Sequence, residues 1–158
     1  MIREAEEPEL DLDWFALDSA GAVGHFTTGG CGALPRSVAT SCDADRQALR
    51  DYLLSLPDAG RALFNTAWDA QIRLTPQNRA APGEVFRPWL RSAARGLYAF
   101  DYVEDRRRRP RPYRVVARPE VPLKADELPP DVRAVLGRTV LRDVVFARDD
   151  VIGMASLL

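Results

Sequence analysis

The sequence predicts an α+β fold: a single antiparallel sheet, drawn from strands near both ends of the chain and packed against central helices. Three observations carry this. Residues 14–27 read as a β-hairpin, and three segments between residues 41 and 93 repeat their apolar residues at helical spacing. From residue 97 onward the period falls to two, with no regular strand–helix alternation that would build a parallel sheet.

The first ten residues read as a flexible acidic tail, with residues 11–158 forming one domain. Trp14-Phe15-Ala16-Leu17 is apolar and runs into Asp18-Ser19-Ala20-Gly21, a turn signal. Ala22-Val23-Gly24-His25-Phe26-Thr27 supplies the second arm of the hairpin, and Gly29-Gly30-Cys31-Gly32 a loop stopped by Pro35. The first helix is capped by Ser41 or Asp43, carries Leu49, Leu53 and Leu56 on one face, and ends at Pro57. A second helix is expected over residues 60–74, with Leu63, Phe64, Ala67, Trp68 and Ile72 as its apolar face and Pro76 beyond it. The third uses Phe86, Trp89, Leu90 and Ala93. Pro88 is tolerable only in a first turn, so this helix should start near Phe86.

Residues 97–103 alternate as a strand, residues 104–112 are a charged, proline-bearing loop, and residues 113–117 are the partner strand. Leu128-Pro129-Pro130-Asp131 opens a short helix through Leu136, with Gly137 past its end. Residues 140–147 are expected to form the last strand.

The composition suits one buried core: 158 residues, 46% hydrophobic and 28% charged. A net charge of −1 predicts no general affinity for nucleic acid or acidic membrane. No apolar run approaches the roughly 18 residues needed to span a bilayer. Residues 1–13 lack the basic and apolar regions of a signal peptide, so a cytoplasmic location is expected. Cys31 and Cys42 are too few for a disulfide framework and should be free thiols. Twenty-one of the 22 basic residues are arginine, with Lys124 the one lysine. This suggests a coding bias and argues against reading every arginine as functional.

Few residues suggest chemistry. His25 is the one histidine, and a nucleophilic pair would need Cys31 or Cys42 beside it. A strand histidine and two small thiols is the plainer reading. One histidine and two cysteines eleven positions apart fall short of a structural zinc site, and Asp11, Asp13 and Asp18 do not have calcium-loop spacing. No cofactor is expected. Thr27-Thr28-Gly29-Gly30-Cys31-Gly32 offers backbone N–H groups to an anion, yet lacks the Gly-Lys-Ser/Thr of a P-loop. A structural turn is favoured there.

Two charged stretches are candidate contact surfaces. Arg106-Arg107-Arg108-Arg109-Pro110-Arg111 follows Glu104 and Asp105, and the neutral chain argues for a solvated loop or a partner contact over a dedicated nucleic-acid site. Glu4, Glu6, Glu7, Glu9, Asp11, Asp13 and Asp18 face only Arg3 in charge. They form either a solubilising tail or an edge complementary to a basic partner, with Asp11, Asp13 and Asp18 the first choice. Trp14, Trp68 and Trp89 lie in apolar periodic segments and are expected in the core.

The string Asp11-Leu12-Asp13-Trp14-Phe15-Ala16-Leu17-Asp18, then Gly21-Ala22-Val23-Gly24-His25-Phe26 and Thr28-Gly29-Gly30, resembles the opening of a group of small bacterial proteins of unassigned activity. Gly96-Leu97-Tyr98-Ala99-Phe100-Asp101, Tyr113-Arg114-Val115-Val116-Ala117-Arg118-Pro119 and Leu128-Pro129 are similar to the rest of that pattern. The group brings no catalytic residues. In size and single-domain form it resembles immunity proteins of polymorphic toxin systems, which implies stoichiometric binding of a cognate toxin. The alternative expectation is a small enzyme or ligand-binding domain, with a pocket near His25, Thr27, Thr28, Gly29 and Gly30.

Overall fold

The structure, a computed structural model, describes residues 11–30, 34–68, 82–103 and 111–157. Strands β1 (Asp13–Asp18) and β2 (Val23–Thr27) form the expected hairpin, with Trp14 opposite Phe26 and Phe15 opposite His25. Its turn is fixed by Asp18, whose Oδ1 accepts the N–H groups of Ala20 and Ala22 at 3.0 and 2.8 Å. Helices α1 (Arg36–Ala39) and α2 (Asp43–Leu54) follow. Cys42 is the residue that leads into α2, and no side chain caps that helix.

The helix expected over residues 60–74 is not formed in its described part. Ala62–Phe64 is instead a strand, β3, and Thr66–Trp68 a 3-10 turn. The remaining residues, including Ile72, lie outside the described ones. The apolar pattern of Leu63, Phe64 and Trp68 suits either element, and long-range bonds decide it. Asn65 N donates to Val116 O at 2.8 Å, and the Asn65 side-chain amide and Trp68 Nε1 both donate to Val115 O. A strand edge thus captures a segment whose own periodicity is helical.

Helices α3 (Pro82–Val85) and α4 (Arg87–Ala94) come next, with Phe86 between them and Pro88 in the first turn of α4, the one place its ring fits. Strands β4 (Tyr98–Tyr102) and β5 (Tyr113–Pro119) pair antiparallel, and helix α5 (Pro130–Leu136) ends at Gly137. The last expected strand shrinks to β6 (Val140–Leu141), and a second short strand, β7 (Val151–Ile152), follows a turn. Asp18 and Asp149 hold that turn: Phe146 N donates to Asp18 Oδ2 and Val145 N to Asp149 Oδ2, both at 2.8 Å.

The seven strands make one sheet in the order β3-β5-β4-β2-β1-β6, with β7 beside β5. The α+β class is as the sequence predicts, but the sheet is mixed. β2 pairs with β4, and β1 with β6, in parallel. The reason lies in the connections. A parallel neighbour needs a long crossover, and the chain between β2 and β4, which contains α2 and α4, is one.

One sheet face is aromatic. Trp14 stacks on Phe26 at 4.0 Å and Phe26 on Phe100 at 4.7 Å, with Tyr113 and Phe146 set edge-on to Phe26. The C-terminal segment covers this face through Leu141, Val144, Phe146, Ile152 and Leu157. Gly24 allows that approach, since a Cβ there would lie 2.8 Å from the Phe146 ring. The opposite face carries Phe15, Leu17 and Val23 and packs on Leu53 of α2 and Leu136 of α5. Trp68, Phe86 and Val116 form a third cluster, flanked by Trp89. Among the described residues no helix is long and apolar enough to cross a membrane.

Candidate functional site

The helix-covered face carries a row of polar residues at one end of the sheet. Strand register sets Asp13 beside Thr27, Thr27 beside Asp101, Asp101 beside Arg114, and Arg114 beside Val151. His25 lies one pleat deeper on β2. All but Val151 are polar where alternation alone would place core residues, and Asp13, His25, Thr27 and Asp101 are each held by side chains from the helices or from their neighbours.

His25 is 4% exposed and stacks on Phe15 at 4.9 Å. Its Nδ1 lies 2.8 Å from Oγ of Ser92 on α4, and its Nε2 lies 3.1 Å from Asp13 Oδ1. Arg50 Nε, on α2, donates to Asp13 Oδ2 at 2.7 Å. Burial pushes the Asp13 carboxyl up, but the hydrogen bonds and charges of His25 and Arg50 outweigh it and hold the group down at about 2. With Asp13 ionised, Nε2 carries a proton and donates to it, while Nδ1 and the Ser92 hydroxyl share a second hydrogen bond. One line of bonds therefore joins α4, β2, β1 and α2.

This is a Ser–His–Asp chain in composition, and Ser92 and Arg50 were not singled out by sequence reasoning. Its geometry differs from that of a hydrolase. There Nε2 faces the nucleophile and Nδ1 the carboxylate, whereas here the order is reversed. Ser92 is 1% exposed, and neither Ser92 nor His25 lines either of the two cavities beside Asp13. Cys42 is an exposed free thiol at the start of α2, and Cys31 lies outside the described residues.

Thr27 and Asp101 make a second cluster. Thr27 Oγ1 donates to Asp101 Oδ1 at 2.8 Å and accepts from Trp89 Nε1 at 3.1 Å, and Tyr102 N donates to Asp101 Oδ1 at 2.9 Å. Burial raises the Asp101 carboxyl to about 6. The Thr27 and Tyr102 hydrogen bonds oppose the rise, and the charge of Asp11 adds to it. Thr28 is buried and its Oγ1 accepts from Leu12 N at 2.8 Å, which extends the hairpin. Gly29 and Gly30 take positive φ, as a tight turn requires. A Cβ on Gly29 would collide with the Tyr102 ring. The side chains of Thr27 and Thr28 are thus spent on the fold.

The acidic edge is divided by the structure. Asp18 is 3% exposed and accepts three backbone N–H groups, so its carboxylate has no free surface to offer a partner. That expectation of a contact residue is corrected: the hairpin turn and the turn near Phe146 both need this carboxylate inside. Asp13 is bound to His25 and Arg50. Asp11 is exposed, at the mouth of an open groove of about 440 Å³ lined also by Asp13, Asp43, Arg46, Gln47 and Arg50. A smaller cavity of about 40 Å³ adjoins it, over Trp14, Phe15, Val38 and Leu49, with Arg46 and Arg138 at its walls. Arg106, Arg107, Arg108 and Arg109 lie outside the described residues, while Arg111 sits 5.6 Å over the Tyr102 ring.

Among the described residues no group of three or more His, Cys, Asp or Glu side chains is placed to hold a metal ion. No protein-family profile, no curated protein and no solved structure matches the chain.

Proposed function

We propose that the protein is a non-catalytic binding protein, an immunity protein that neutralises a cognate bacterial toxin by stoichiometric occlusion. The observation that supports this most is the commitment of its reactive-looking groups to the fold. Ser92 and His25 are buried, and both imidazole nitrogens are engaged within the protein. A nucleophile needs a neighbouring site for the reacting atom, and neither described cavity reaches Ser92.

The contact surface we favour is the groove between the start of β1 and α2. Asp11 is exposed at one side, and at the other the Asp43 side chain is 91% exposed although it is ion-paired with Arg46, so both carboxylates lie at a surface open to a basic toxin. Charge complementarity at such a rim acts mainly on association rate and salt sensitivity. The test is co-expression with a candidate cognate toxin, with inhibition titrated against molar ratio. Inhibition should be complete at one protein per toxin. Asp11→Lys with Asp43→Lys should weaken protection and leave thermal unfolding unchanged. Protection far below equimolar would sink the occlusion model.

The second reading, a small hydrolytic enzyme, draws on the 2.8 and 3.1 Å contacts of the Ser92–His25–Asp13 chain. It requires α4 to lift from the sheet. Folded Ser92→Ala protein that fails to protect would favour it.

A further inference from the structure

Strand β1 is paired along its whole length on one side only. Asp18 N donates to Ala22 O at 3.0 Å and Thr28 N to Leu12 O at 3.1 Å. Residues 12, 14, 16 and 18 therefore turn their backbone groups toward β2, and the residues between them face the other way. On that other side Leu17 is met by β6, and its N–H donates to Thr139 O at 3.0 Å. The β6 pairing takes in Leu17 and Asp18 and goes no further. Phe15, one pleat earlier, turns its N–H and C=O to the same side. Among the described residues neither group has a hydrogen-bond partner. Phe15 is only 4% exposed, and nearly all backbone groups so deeply placed in folded proteins are paired.

Phe15 lines the cavity of about 40 Å³ described above. Val38, which lines it too, belongs to the aromatic-face cluster, and Leu49 packs on the cluster of the opposite face. The cavity is thus a slot in the plane of the sheet, with an apolar wall toward each face. Its charged and hydroxyl side chains are engaged with their neighbours. Arg138 Nη1 donates to Asp45 Oδ2 at 2.6 Å, and Arg46 Nη1 to Val38 O and Ser41 O, both at 3.2 Å. Ser37 Oγ and Thr139 Oγ1 lie 2.8 Å apart. The donor and acceptor of Phe15 are what remains to specify an occupant. Asp13 and Arg46 line both the slot and the open groove of about 440 Å³, so the slot can be entered from outside.

We infer that this slot binds a small uncharged molecule carrying an amide. An amide presents an N–H donor and a C=O acceptor on one flat group, the same pair that a neighbouring strand would offer Phe15. The apolar walls exclude water and strengthen both bonds. At roughly 10–15 Å³ for each water-sized group, the slot takes about three such groups: the carbonyl, the nitrogen and a small alkyl substituent. A carboxylate would bring charge against apolar walls and serve the donor alone, and a hydrocarbon would leave both groups unpaired. Occupancy of the slot does not depend on a toxin being the partner.

The test titrates the full ¹⁵N-labelled chain with propionamide and, separately, with butanone, which has the same shape with methyl in place of NH₂. The Phe15 backbone N–H resonance should move saturably with propionamide. Butanone leaves the Phe15 carbonyl unpaired and should need about tenfold more for half the shift. No movement at Phe15, or equal half-saturation by the two probes, overturns the assignment. Val135 and Leu49 are half-buried slot residues on α5 and α2. Val135→Phe fills the slot and should abolish the Phe15 shift while melting as the wild type does. If it melts lower, Leu49→Phe fills the slot from α2, with the same loss expected. A Phe15 shift of wild-type size in either folded variant also overturns the assignment.

Discussion

Asp101 and Asp13 titrate in opposite senses within one row of the sheet. Asp101 is held at about 6, above its unfolded value near 3.8. Its contribution to stability is therefore complete below pH 4 and is lost as pH rises through 6. Asp13 is held down at about 2, so its contribution is present above pH 4 and lost as pH falls toward 2. Together the pair is most favourable near pH 4. Asp101→Asn keeps an Oδ1 acceptor for Thr27 and Tyr102 and removes the penalty of ionisation. Relative to the wild type it should gain roughly 2 kcal/mol between pH 4 and pH 7, read from urea unfolding at each pH. A difference independent of pH would show that Asp101 is not the titrating group. Asp18 is a different case, since its carboxylate serves three backbone donors. Asp18→Ala leaves buried N–H groups without partners and should cost about 3 kcal/mol or more, seen as a large fall in Tm. The sequence marked Asp18 correctly as a turn residue. That its second oxygen binds Phe146 N, 128 positions away, could not be read locally.

At the scale of elements, α4 is anchored to the sheet by two polar bonds as well as by apolar packing. Ser92 meets His25, and Trp89 Nε1 meets Thr27 Oγ1. Ser92→Ala should therefore destabilise by about 1–2 kcal/mol, because Nδ1 of a buried imidazole loses its hydrogen-bond partner. Under the proposed binding role, protection against a cognate toxin should be unchanged at equimolar ratio; that pairing of outcomes separates an anchor from a nucleophile. The two hairpin strands, α2, α4, β4 and β5 were legible because each carries its own period. β3 was not, since Leu63, Phe64 and Trp68 satisfy a helical face equally well and only the edge of β5 selects the strand. The last strand was overextended for a related reason. Residues 140–147 are apolar enough for a strand, but Leu141, Val144 and Phe146 are spent covering the aromatic face of the sheet.

For the whole molecule, the described core holds itself by packing. Trp14, Phe26, Phe100, Tyr113 and Phe146 form a contiguous aromatic cluster, and Trp14 Nε1 donates to Tyr113 Oη at 3.2 Å. Cys42 is exposed and free. Replacing Cys31 and Cys42 together by serine should leave a single cooperative thermal transition, with a stability change within about 0.5 kcal/mol. Loss of cooperativity would give the thiols a role in the fold.

By itself the sequence determined the α+β class, the hairpin and its turn, the helix end at Gly137, and the place of Pro88, because each follows from local period and from backbone limits on proline and glycine; the first helix stops at Leu54, short of the end expected at Pro57. Only the tertiary structure decided the parallel pairings β2–β4 and β1–β6, the strand at Ala62–Phe64, and the polar row from Asp13 to Arg114. The physical reason is sequence separation. Ser92 and His25 are 67 residues apart and Thr27 and Asp101 are 74 apart. Nothing in either neighbourhood encodes the other until the sheet sets their strands and helices side by side.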